Sequence, residues 1–166
     1  MIDPDYCRRM VRYNSWQNRQ LGACLAELPA AELTRDRGAF FGSILATLNH
    51  ILWGDRMWMS RFAGWDKPAV GIPESTSFCP TLAVWQAERY RTDGQLGLWA
   101  ARVRAVDLAG DLVWYSGALG ADVRKPMAVC VTHMFNHQTH HRGQVHAMIT
   151  AAGAKAPVSD LAFMPD

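Results

Sequence analysis

Along most of the chain, apolar positions recur at three- and four-residue steps, the period of helices with one buried face. In the first segment Tyr6, Met10, Tyr13, Trp16, Leu21, Cys24, Leu25 and Leu28 mark that face. Arg8, Arg9, Arg12, Gln17, Asn18 and Arg19 supply much of the polar complement. Asp3-Pro4, a capping residue followed by proline at the first helical position, predicts the start; Leu28-Pro29 predicts the end. Asn14 and Trp16 could reach a bundle interior, although packing and surface contact are the commoner roles for such residues. A charged connector at 30–38 leads into a second helix over about 40–64, with Gly64 as its stop. Residues 65–80 contain three prolines, two serines and Gly71, and read as a long loop crossing the end of a bundle. Thr81 is an N-cap for a third helix to about residue 106, marked by Leu82, Val84, Trp85, Tyr90, Leu96, Leu98, Trp99 and Val103. Gly94 and Gly97 weaken its helix propensity. Within 107–125, Leu112, Val113, Trp114 and Tyr115 predict a short strand or hairpin arm between Gly110 and Gly117. Pro126 then opens a last helix to about Ala152, stopped by Gly153, and an extended tail follows from Lys155.

Four long amphipathic helices with little strand signal predict an all-α helical bundle, a single domain over residues 1–166. The long second loop and the glycine-rich third connection leave the order of the helices open. No internal repeat is present.

Composition narrows the class. Hydrophobic residues make up 49% of the 166 and charged residues 19%, a globular rather than a disordered balance. A formal net charge of +2 with no Lys/Arg block argues against a nucleic-acid partner. No apolar run approaches the roughly 20 residues that span a bilayer, so no membrane role is expected. Cys7, Cys24, Cys79 and Cys130 show no C-x-x-C spacing, and no signal peptide precedes them. Reduced, buried thiols in a cytoplasmic protein are the expectation.

The chemistry concentrates near the C-terminus, where four of the six histidines fall within residues 132–144. On a helix advancing about 100° per residue, His133, His137, His140, His141 and Gln144 share one arc roughly 100° wide. His146 lies on the opposite face. Histidines at i and i+4 can reach one metal ion from a single helix. Two such pairs exist, His133/His137 and His137/His141, and spacing leaves both open. A lone His50, on a face otherwise made of Ala46, Trp53, Gly54 and Met57, would read as a satisfied core residue. Beside the late cluster it becomes the natural third ligand. Asp55 lies about 140° around the helix from His50, placed to orient a neighbour or face water. Cys130, one turn before His133, reads as packing. Three imidazoles plus water is the pattern of an open, catalytic site, and imidazole suits zinc, nickel, copper and iron alike. Asn136, Gln144, Asp55 and backbone carbonyls are the available partners for the ligands' other ring nitrogens. No carboxylate general base stands beside the histidines as in H-E-x-x-H sites, which disfavours peptide hydrolysis.

The string Asn136-His137-Gln138-Thr139-His140-His141-Arg142-Gly143-Gln144, with Leu48-Asn49-His50-Ile51-Leu52-Trp53-Gly54-Asp55-Arg56 before it, resembles the DinB (damage-inducible) family. Tyr13-Asn14-Ser15-Trp16-Gln17-Asn18-Arg19 is also similar to that family, and the resemblance covers essentially the whole chain. It implies a four-helix bundle of up-down-down-up order, commonly a homodimer. It also implies a divalent metal held by His50, His137 and His141, with His133 and His140 as neighbours that either line the pocket or support the ligands, or else lie plainly on the helix surface. The expected cofactor is one divalent ion, zinc or nickel foremost. Members of the wider superfamily include transferases and an isomerase that use a low-molecular-weight thiol. The reading that follows is a thiol-dependent transferase acting on a small molecule. A metal-dependent hydrolase, or a metal-binding stress-response protein without turnover, is the alternative.

Overall fold

The computed structural model describes residues 2–166. Local capping sets most helix starts. The Asp3 carboxylate accepts the Tyr6 backbone N–H at 2.7 Å, and Pro4 follows to open α1 (Pro4–Ala26). The connector contains a short helix the pattern did not reveal, α2 (Ala30–Thr34), which buries only Leu33. α3 (Ile44–Ala63) begins later than the apolar spacing suggests, because Ser43 caps it and residues 39–42 form a tight turn bridging Ala39 and Gly42. It ends, as expected, at Gly64 in the left-handed region (φ 67°). Thr81 caps α4 (Leu82–Arg102), which stops short of residue 106. Val103 turns extended and residues 105–108 wind into a separate 3-10 turn, fixed by Asp107 accepting from the Arg104 backbone and side chain.

The hairpin is real: β1 (Asp111–Ser116) pairs antiparallel with β2 (Ala121–Pro126), Asp111 opposite Pro126 and Ser116 opposite Ala121. The protein is therefore mostly helical with a small two-stranded sheet, not purely α. Pro126 is the cap of α5 (Met127–Ala151) rather than its first residue. The tail is tied down: Ser159 and Val158 carbonyls accept from Tyr13 Oη and Gln17 Nε2 at 2.5 and 2.9 Å.

Four long helices pack with α1 against α4 and α5, and α3 against α4 and α5. Their buried apolar residues form two clusters at opposite ends. One joins Leu21 and Leu25 of α1, Leu45, Leu48 and Leu52 of α3, Trp85 of α4, and Val145 and Met148 of α5. The other joins Cys7 and Val11, Met59, Leu96 and Ala100, and Val131, Met134 and Phe135.

Between them runs a buried polar belt that closes through all four helices. Asn18 Nδ2 donates to Asp93 at 3.1 Å, linking α1 to α4. Arg89 bridges Asp93 at 2.8 Å and Asp55 at 2.5 Å, linking α4 to α3. Gln138 Nε2 donates to Asp55 Oδ1 at 2.8 Å, and Arg142 donates to Asn14 Oδ1, linking α5 to α3 and α1. Asn14 is thus an interior belt residue, while Trp16 is half-buried beside Tyr13. All four cysteines are free thiols; Cys7, Cys79 and Cys130 are buried and Cys24 half-buried. Among the described residues, no helix is long and apolar enough to cross a membrane.

Candidate metal centre

Three imidazoles converge where α3 and α5 meet. A nitrogen of each of His50, His137 and His141 lies within 4.8 Å of the others. His50 Nε2 and His137 Nε2 stand 3.0 Å apart. Ligands around a tetrahedral zinc ion at about 2.0–2.1 Å sit about 3.3 Å from each other, so the pair needs to open only slightly.

Each ring is held in place by a specific neighbour. Asn49 and Trp53 of α3 pin the long loop: Asn49 Nδ2 donates to the Thr76 and Cys79 carbonyls at 3.0 and 2.9 Å, and Trp53 Nε1 to that of Val70 at 2.9 Å. The pinned loop brings buried Ser75 Oγ to 2.9 Å from His50 Nδ1. With Nδ1–H donating to Ser75, His50 presents Nε2 as a free donor atom. Gln144 Oε1 takes the corresponding bond from His141 Nδ1 at 2.7 Å, one turn along α5. His137 has no such partner among the described residues, where its buried Nδ1 makes no hydrogen bond. Packing holds it instead: its ring lies over Gly54, where a Cβ would come within 3.0 Å of Cε1. Phe41 packs against the other two rings, its centroid 4.1 Å from that of His50 and 5.2 Å from that of His141.

Burial sets the protonation state. It is the largest influence on all three rings, lowering His50 to about 4 and His137 to about 3, and His141 to below the ordinary histidine value. Mutual repulsion among the histidines adds to it. The rings are therefore neutral near pH 7, the form that can donate a lone pair to a metal. An all-imidazole donor set with paired outer nitrogens on two of its members fits a divalent ion.

The remaining sequence candidates sort clearly. His133 is exposed on α5, its ring centroid 5.9 Å from that of His137 and 5.2 Å from Trp58. His140 is exposed and meets Gln144 at 3.3 Å. His146 lies away from the centre, with Nε2 3.1 Å from the Pro157 carbonyl. Asp55 turns inward to Arg89 and Gln138 and touches no histidine of the centre. Asn136 is exposed and lines a cleft near Tyr6 and His133 rather than the centre. Cys130 is buried in the core. Sequence reasoning missed Ser75, Gly54 and Phe41. Only Gly54 left a trace, as a glycine one turn after His50 in a helix.

The comparisons with known proteins agree with this architecture. The DinB family model matches residues 1–166. Protein DinB of Bacillus subtilis (strain 168) is 24% identical over 158 residues, covering 92% of this chain and 90% of that relative. A crystal structure of a DinB-like protein from Bacillus cereus aligns with a TM-score of 0.62 at 17% identity. That alignment covers 86% of this chain and 90% of the other, and shows a shared fold.

Proposed function

Because the chain belongs to the DinB family, we propose that it binds one divalent metal ion, zinc or nickel, through His50, His137 and His141 and works as a thiol-dependent transferase. The observation that carries the metal reading is the convergence of three imidazoles, two of them with a ring nitrogen already paired to Ser75 or Gln144. The helix order that supports it is up-down-down-up: α1 and α5 run from the Cys7–Phe135 cluster toward the Leu25–Met148 cluster, and α3 and α4 run back. In that order α3 and α5 are antiparallel neighbours, so His50 meets His141 and Gly54 meets His137.

Three protein ligands leave a position for an exogenous one, and a divalent ion there would lower the pKa of a bound thiol. The protein's own part is to fix the rings through Ser75, Gln144 and Gly54, and to keep them unprotonated by burial. Asp55, the nearest carboxylate after His50 on α3, is fully buried and committed to Arg89 and Gln138. It is not free to serve as the base a hydrolase would use to activate water, which favours thiol chemistry. Homodimeric assembly in the cytoplasm goes with this reading.

Cobalt-substituted protein tests it. A small thiol such as cysteine is expected to perturb the visible spectrum of the bound cobalt. An unchanged spectrum at saturating thiol would remove the transferase reading while leaving metal binding intact.

A further inference from the structure

Five arginines are buried or half-buried: Arg37, Arg56, Arg61, Arg89 and Arg142. Four of them meet an acceptor, Glu32, Glu88, Asp55 with Asp93, and Asn14 respectively. Arg61 alone among them meets none within the described residues. Its guanidinium is instead framed by aromatic rings, 4.5 Å from the Trp58 centroid and 5.3 Å from that of Trp114 on the hairpin. Those indoles meet edge to face at 5.5 Å. Cation–π contact with both rings holds the guanidinium between them, and its N–H fork, which meets no protein acceptor among the described residues, is of the kind that receives a carboxylate. Burial also pulls the Arg61 pKa below the ordinary arginine value, and Cys130 opposes this. Arg61 is half-buried and bonded to no protein acceptor among the described residues, so its N–H groups are open to an anionic ligand.

The position of this orphan cation connects it to the histidine centre. Seven residues separate Gly54, the seat of His137, from Arg61. That spacing returns to the same face of α3, about 10 Å further along. The interval has a continuous aromatic wall: His137 to His133 at 5.9 Å, His133 to Trp58 at 5.2 Å, and Trp58 beneath Arg61.

We propose that Arg61, framed by Trp58 and Trp114, is the subsite for the carboxylate end of a small molecule whose other end occupies the open position of the histidine centre. The ligand class is an elongated carboxylate about 10 Å long with an apolar middle that lies along His133 and Trp58. The proposal rests on the metal reading above and adds a recognition element to it.

The test uses full-length cobalt-loaded protein and two probes of equal length, mercaptooctanoate and mercaptooctanol. Each titration is read by cobalt absorption and by tryptophan fluorescence. Wild-type protein is expected to bind the carboxylate probe at least about tenfold more tightly, as one charge-assisted hydrogen-bonded contact provides. Arg61→Gln is expected to erase that preference while cobalt content and mercaptooctanol affinity stay unchanged. Mercaptopropionate, too short to reach Arg61, should gain nothing from Arg61. Equal affinities for the two long probes in the wild type, or a preference that survives in Arg61→Gln, would overturn the subsite while leaving the metal reading standing. Failure to take up cobalt at all would overturn both.

Discussion

At Gly54 an added Cβ would stand 3.0 Å from His137 Cε1 and 3.5 Å from Nδ1, so the position is tied to the imidazole rather than to the backbone. Alanine there has two opposing effects. In a helix interior it is favoured over glycine by about 0.5–1 kcal/mol. It also pushes His137, the ring without a hydrogen bond on its outer nitrogen, away from His50. Gly54→Ala is therefore expected to keep or raise the melting temperature of the metal-free protein and to weaken metal binding by about tenfold, an effect comparable to the loss of a supporting contact. Chelator competition together with thermal melting separates the two effects, and unchanged affinity would dismiss the seat. The histidines themselves were legible because helical spacing is a property of sequence. Ser75 was not, because its approach to His50 depends on Asn49 and Trp53 holding a loop 17 or more residues away in sequence.

Among the elements, the polar belt does what the two apolar clusters cannot, which is to fix how far α5 slides along α3. Asp55 is its hinge point, since Arg89 of α4 and Gln138 of α5 both end on its carboxylate. Gln138 is the residue after His137, so the same hydrogen bond sets the height of the histidine over Gly54. Removing one member of a buried ion pair leaves the other uncompensated and costs about 3–5 kcal/mol. Asp55→Ala is expected to lose that much in urea unfolding and to reduce metal content in the fraction that remains folded. A loss below about 1 kcal/mol would mean the belt is wetter and less coupled than its burial implies. Helix starts were readable at Asp3 and Thr81, where the cap acts on its own next turn. The start at Ser43 was not: Phe40 and Phe41 continue the apolar spacing, although Phe41 in fact leaves the helix to cover His50 and His141. The end of α4 was overshot for the same reason, Val103 and Val106 keeping the period after the backbone has turned.

For the molecule as a whole, folding is what assembles the centre, because His50 and the α5 pair are 87 or more residues apart and meet only when α3 and α5 pack. Four long helices could be read from the pattern; their order could not, since long connections permit several. Folding also sets a pH signature. His50 and His137 fall to about 4 and about 3 in the folded state, below the ordinary 6.5. Between those values and 6.5 the unfolded chain binds more protons than the folded one, so stability rises with pH across that window. Metal-free protein should thus lose urea resistance as pH drops below about 6.5, and should lose less of it in His137→Gln. An identical pH profile in the variant would show that the ring is not desolvated as the structure has it. The most direct test of the account is elemental analysis of untagged protein after metal reconstitution, for the wild type, His137→Ala and His146→Ala. About one divalent ion per chain is expected in the wild type and in His146→Ala, and none in His137→Ala. A wild type without metal, or equal metal in both variants, would contradict it.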